Sequence, residues 1–227
     1  MQSLTNPDSY IRTRFVINHS YIRNQLFLLV LPLNYLAHSY LSYQKTDLII
    51  GNFIADSIIG NRFEGLTEGI IKGIMLHRKI DVFTDSHPTF LTSKHRFSKD
   101  FDKYSGVLMD IFYDHYLAKN FSLYSPIPLQ KHVDNIYDIL KTNYEYLPEP
   151  AKRFYGYMTQ RNILFHYSSL KGIETVLTHL SNRIKNRFEL QLAVPILENN
   201  YLEIEEEFFN FFDDLQAFCK VQPEVII

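Results

Sequence analysis

Apolar residues recur along this chain at helical spacing, and polar residues interrupt them four apart. The pattern predicts helices over 34–44, 48–59, 67–83, 88–98, 104–119, 129–144, 149–166, 169–187 and 196–219. Asp47 is the expected N-cap of the second, and Gly60 its stop. Ser86-His87-Pro88 breaks the third and starts the fourth, and Pro126, Pro128, Pro148 and Pro150 mark later boundaries. No alternating strand pattern stands out, so the expected fold is all-α, a single-domain helical bundle. In the last helix, Glu203, Glu205, Glu206 and Glu207 are expected to face water while Phe208, Phe209, Phe211 and Phe212 supply the core.

The stretch from 34 to 115 carries the chemistry. Asn34 and His38 stand four apart, as do Asn52 and Asp56, the series His77, Asp81 and Asp85, and the pair Asp110 and Asp114, with His115 adjacent. Spacing of four puts two side chains on one helix face. Each pair alone reads as a cap, a satisfied core histidine or a salt link. Together they are costly among Ile, Leu, Met and Phe unless they converge on a cation. Imidazole with carboxylate suits Mn, Fe or Zn. The remaining histidines weigh less: His19, His132 and His179 read as surface or interhelix residues and His87 as a cap, while His95 and His166 are weaker cleft candidates. Lys72, Arg78, Lys79, Lys94 and Arg96 form a locally basic stretch, either a solvated face or a docking surface for an acidic partner.

Composition narrows the classes. The 227 residues are 46% hydrophobic and 21% charged, which is globular and excludes wholesale disorder. A net charge of −2 argues against a nucleic-acid binder held by bulk charge. The single cysteine, Cys219, excludes an intrachain disulfide and a cysteine zinc cluster, and fits a reducing, cytoplasmic setting. With only 8 glycines there is no Gly-rich phosphate loop. The apolar run at 26–33 is too short to span a membrane, and no small-residue cleavage site follows it.

Four ordered blocks, N-Y-L-A-H at 34–38, G-N-F-I-A-D at 51–56, H-R-K-I-D-V-F-T-D at 77–85 and D-I-F-Y-D-H-Y-L at 110–117, resemble the signature blocks of acyl carrier protein phosphodiesterases. Weaker echoes lie at 127–130, 158–167 and Ser181 with Arg183, so the resemblance covers about 33–220. Members typically place Met directly before the first block. Here Leu33 stands there, and residues 1–32 form an extension expected to be dispensable, with 221–227 as a C-terminal tail.

The resemblance implies an all-helical fold related to the HD phosphohydrolases and a divalent metal, typically Mn²⁺. The implied reaction hydrolyses the phosphodiester between 4′-phosphopantetheine and a serine of acyl carrier protein, the partner and substrate. His77, Asp81, Asp56 and Asp114 are the first ligand candidates. His38, Asp85 and Asp110 are second, as ligands or orienting groups. His115 is the candidate proton donor to the leaving serine oxygen, and Arg78 the candidate phosphate contact. Lys79, Lys94 and Lys72 are the candidate docking residues. Two other readings stay open: a metal phosphohydrolase acting on a nucleotide or other small phosphoester, and a non-catalytic helical module that binds the carrier protein.

Overall fold

The structure is a computed structural model that describes residues 34–184 and 188–226; the apolar run at 26–33 and the extension that contains it lie outside them. Among the described residues there is no strand. In chain order the helices are α1 (Tyr35–Tyr40), α2 (Thr46–Ile54), α3 (Glu68–Ser86), α4 (Pro88–Phe101), α5 (Ser105–Lys119), α6 (Phe121–Tyr124), α7 (Leu129–Thr142), α8 (Glu149–Gln160), α9 (Ile163–His166), α10 (Leu170–Arg183), α11 (Ala193–Asn199) and α12 (Tyr201–Lys220). The all-α expectation is met. No helix among the described residues is long and apolar enough to cross a membrane.

Helix α5 is the centre of the bundle, buried from Ser105 to Ala118 without a solvated face. A helix that is apolar all round belongs inside, which makes its polar members Asp110, Asp114 and His115 unusual. Helix α12 covers one side through Phe208, Phe211, Phe212 and Leu215. The rings of Phe208 and Phe212 stack at 5.3 Å, and Phe208 stacks on Tyr116 of α5 at 5.9 Å.

Helices α2 and α3 cross at two glycines. A Cβ on Gly51 would fall 2.1 Å from the Ile70 carbonyl oxygen, and one on Gly73 would fall 2.6 Å from that of Leu48. Only hydrogen at both positions allows this approach. The crossing sets the register of the site, because Asn52 follows Gly51 directly and His77 lies one turn beyond Gly73.

Several boundaries differ from the sequence expectation. Asp47 is not the cap of α2: extended Lys45 holds that position, and Asp47 accepts a hydrogen bond from Thr67, which caps α3. After Ile54 the chain tightens into a 3₁₀ turn, Ala55–Ser57, before it reaches Gly60. The helix expected at 149–166 is two helices, because Asn162 adopts a left-handed backbone (φ 47°). The last is also divided, at Asn200. The acidic run of α12 is not simply solvated. Glu207 takes both guanidinium nitrogens of Arg96 at 2.7 Å and the Ser93 hydroxyl, and Glu205 binds Lys119 and Asn120 at 2.9 and 2.7 Å. Residues 221–226 fold back on the bundle, where the Val225 carbonyl accepts from Lys45 and Glu224 pairs with Lys79.

Candidate metal centre

Three of the four polar stripes converge. The His38 and His77 rings stack with centroids 4.1 Å apart. Asp81 bridges them, one carboxylate oxygen 3.4 Å from His38 Nε2 and the other 3.4 Å from His77 Nε2. Asp56, on the 3₁₀ turn after α2, places Oδ1 3.4 Å from the same His77 nitrogen. One ligand atom each from His38, His77 and Asp81 fall within 4.8 Å of one another. The imidazoles are buried, while Asp56 and Asp81 keep 23% and 21% of their side chains exposed, so the cluster opens to solvent on its carboxylate side.

The proton positions follow from Asn52. Its Nδ2 donates to Ser42 Oγ at 2.9 Å and to the Leu48 carbonyl at 3.1 Å, and a carbonyl only accepts. The amide is therefore fixed with Oδ1 toward His38 Nδ1 at 3.0 Å. That nitrogen carries the hydrogen, and Nε2 presents a lone pair to the Asp81 carboxylate. Burial and then the neighbouring His77 lower the His38 pKa, outweighing Asp81 and Asn52, so the ring is neutral. A lone pair facing a carboxylate is repulsive unless a cation lies between them. His77 is the opposite case: burial pushes its pKa down, but Asp81 and Asp56 together lift it to about 10. Without a metal, a proton on His77 supplies the positive charge. His38 Nε2 and both ring nitrogens of His77 are buried and make no hydrogen bond. Two imidazoles and one carboxylate around one point, with a second carboxylate beside His77 and ring nitrogens left over, fit a divalent transition metal.

The fourth stripe has a different task. Asp114 accepts the backbone N–H groups of Leu36 and Ala37, both at 2.9 Å. These are orphan donors of the first turn of α1, and Asn34 makes no side-chain cap there. Asp114 is thus a cap supplied from another helix. Burial raises its pKa well above the carboxylate range, against the two N–H donors, and nearby Asp110 adds to the rise. Asp110 and Asp114 line a cavity of about 20 Å³ beside Asn34 and Thr84, room for about one water. Asp114 thereby orients the helix that carries His38.

His115 and Arg78 are engaged by other partners. His115 sits between the Tyr167 carbonyl (2.7 Å from Nδ1) and the Tyr201 hydroxyl (2.6 Å from Nε2), so both ring nitrogens are occupied. Asp85 lies one turn beyond Asp81 and is half-buried. Arg78 donates to the carbonyls of Ile58 and Gly60 and to Asn61, with its guanidinium 5.8 Å from the Phe63 ring. It braces the loop that follows Asp56. Lys79 pairs with Glu224 at 2.7 Å and Lys72 with Glu68 at 3.0 Å, so these two charges are matched within the chain. Lys94 is half-buried on α4. His132 is the interhelix histidine of the two alternatives: it is buried and bonds the Ser39 hydroxyl of α1 at 3.2 Å.

The chain matches the acyl carrier protein phosphodiesterase family over residues 33–215. It belongs to that family. An acyl carrier protein phosphodiesterase of Pectobacterium atrosepticum is 29% identical, over 84% of this chain and 99% of that relative. Those of Photorhabdus laumondii and Serratia proteamaculans are each 26% identical, over 79% and 83% of this chain and 91% and 98% of their own lengths. No solved structure gives a significant match. Family membership places the converging stripes in a phosphodiesterase and gives no role to any single residue. Asn52 is the functional residue that the sequence reading left without a role. Its signal was present, an amide inside the apolar run I-I-G-N-F-I-A.

Proposed function

We propose that the protein is a divalent-metal phosphodiesterase that hydrolyses the bond between 4′-phosphopantetheine and the serine of holo-acyl carrier protein. The observation that carries the reading is the facing of His38 Nε2, His77 Nε2 and the Asp81 carboxylate, an arrangement that calls for a cation. His38, His77 and Asp81 would hold the metal, Mn²⁺ in this reading, with Asp56 beside His77 as the further candidate at the solvent edge. When bound, the metal neutralises the phosphodiester charge and activates water. An oxygen–phosphorus bond to water forms, the phosphorus–serine oxygen bond breaks, and the serine oxygen leaves with a proton. The products are apo carrier protein and 4′-phosphopantetheine.

The residues of the chain hold this geometry. Asn52 fixes the His38 tautomer, Asp114 holds the helix under His38, and Arg78 anchors the loop behind Asp56. Substrate enters at the carboxylate side. Ile59 and Val82 stand 74% and 68% exposed near Asp56 and Asp81 in sequence, apolar contacts of the kind that a protein substrate covers. Lys94 supplies the charged contact for an acidic partner, since Lys79 is already matched by Glu224. The reading places the enzyme in the cytoplasm, in keeping with the buried free thiol of Cys219, and treats residues 1–32 as dispensable.

The test is direct. Purified protein with Mn²⁺ is incubated with holo carrier protein, and loss of the prosthetic group is followed by mass. Wild type should convert the substrate, and His77→Ala and Asp81→Asn should not. Full activity in both variants would remove this cluster from the reaction.

A further inference from the structure

Helix α2 ends at Ile54, so its close crossing with α3 at Gly51 and Gly73 does not extend to Asp56. Asp56 lies on the 3₁₀ turn Ala55–Ser57, which one backbone bond closes, from the Ile58 N–H to the Ala55 carbonyl at 3.1 Å. The chain then passes through Gly60 at φ 61°. Among the described residues, the carbonyls of Ile58 and Gly60 accept no backbone N–H. One side chain holds them instead, that of Arg78, the residue after His77 on α3. Its Nη2 donates to both carbonyls, at 3.1 and 2.5 Å, and its Nη1 donates to Asn61 Oδ1 at 3.3 Å. The Phe63 ring centre lies 5.8 Å from the guanidinium carbon.

A single planar fork therefore ties the loop after Asp56 to the helix that carries His77 and Asp81. Lysine, with a point charge on a flexible stem, does not match three such acceptors at once. Asp56 stands two residues before the first held carbonyl. Its Oδ1 is 3.4 Å from His77 Nε2, and 23% of its side chain is exposed. With α2 already ended and solvent on one side, the held loop limits how far Asp56 can drift from His77. For the guanidinium to reach a phosphate, it would have to give up these hydrogen bonds, at about 1 kcal/mol each.

We propose that Arg78 is a positioning residue of the metal centre: through the 58–61 loop it keeps Asp56 beside His77 for a divalent cation, and it does not touch the phosphate. The proposal rests on the metal reading of the cluster, and its first readout is cation binding rather than turnover. Full-length wild type, Arg78→Lys, Asn61→Ala, Asp56→Ala and the Asp56→Ala/Arg78→Lys double variant are titrated with Mn²⁺ by calorimetry. Arg78→Lys should weaken binding by about tenfold, as for other lost orienting partners. Asn61→Ala removes one acceptor of the fork at an exposed position, where folding is not at stake, and should weaken binding by about threefold. In the Asp56→Ala background, Arg78→Lys should add less than about twofold, because the two residues act as one unit. Turnover of holo carrier protein by Arg78→Lys should return close to the wild-type rate as Mn²⁺ is raised. Wild type that binds no Mn²⁺ would remove the metal reading and this proposal together. Three results would overturn the proposal alone: unchanged Mn²⁺ affinity in Arg78→Lys and Asn61→Ala, an undiminished Arg78→Lys effect in the Asp56→Ala background, or turnover that stays low at saturating Mn²⁺. The last would put Arg78 on the phosphate.

Discussion

The proton on His77 makes metal binding a pH-dependent exchange. With its pKa lifted to about 10, His77 is protonated in the metal-free protein at neutral pH, held there by Asp81 and Asp56. A metal that takes His77 Nε2 must release that proton. At pH 7 the gap is about three pH units, an opposing term of roughly 4 kcal/mol on metal affinity. Apparent affinity should therefore rise about tenfold per pH unit between about pH 6.5 and 8.5, with about one proton released per metal ion. Stability carries the complementary sign. A raised histidine pKa stabilises the metal-free fold fully below 6.5, and that contribution is lost as pH rises through about 10. Metal-induced stabilisation should accordingly grow with pH.

Calorimetry of Mn²⁺ binding in two buffers of different ionisation enthalpy, repeated across that range, measures the proton count and the affinity together. Asp56→Asn supplies the internal control. It removes one of the two carboxylates that raise the His77 pKa, so the slope should flatten toward neutral pH even though a ligand candidate is lost. Affinity constant from pH 6.5 to 8.5 with no proton release would refute the reasoning, because His77 would then be neutral or absent from the metal site.

Three further outcomes follow from single contacts. Asn52→Leu leaves His38 Nδ1 without its acceptor and frees the tautomer; helicity should persist by circular dichroism while Mn²⁺ affinity falls by about tenfold to a hundredfold, as for lost orienting partners elsewhere. Asp114→Ala uncaps α1 and should cost about 1–2 kcal/mol in urea unfolding, with a parallel loss of metal affinity because α1 carries His38. His132 is held neutral by burial, with its pKa lowered to about 4; metal-free stability should fall by up to about 3 kcal/mol as pH drops from 6.5 to 4, and His132→Phe should flatten that part of the urea-midpoint profile.

Spacing of four says that two side chains share a helix face, and it does not say what that face meets. Asn52/Asp56, His77/Asp81 and Asp110/Asp114 look alike in sequence, yet the first two face the cluster while Asp114 points at the amide end of α1. The convergence of three stripes was legible because buried polar residues in apolar helices need a shared solution. The identity of the odd stripe was not, because the partners of Asp114 are backbone N–H groups, which every residue but proline carries. His38 stood second as a ligand for a related reason. Its value depends on Asn52 fixing its hydrogen on Nδ1, a contact made across two helices.

The helix ends show the same division between local and tertiary causes. His87 and Pro88 start α4 where expected, since a proline at the first helical position acts through its own ring. Asn162 breaks the expected long helix with no glycine or proline beside it, through a left-handed backbone that its own sequence neighbours do not announce. The glutamates of α12 carry four like charges within five residues, a pattern that reads as solvated. Three of them instead pair across helices, Glu203 and Glu207 with Arg96 and Glu205 with Lys119. Their counter-charges are more than eighty residues away in sequence, so only the packed bundle reveals them. The basic stretch around Arg96 and the acidic run of α12 are therefore partly one interhelix contact. That leaves Lys94, rather than Arg96, as the basic residue of α4 to test against an acidic partner.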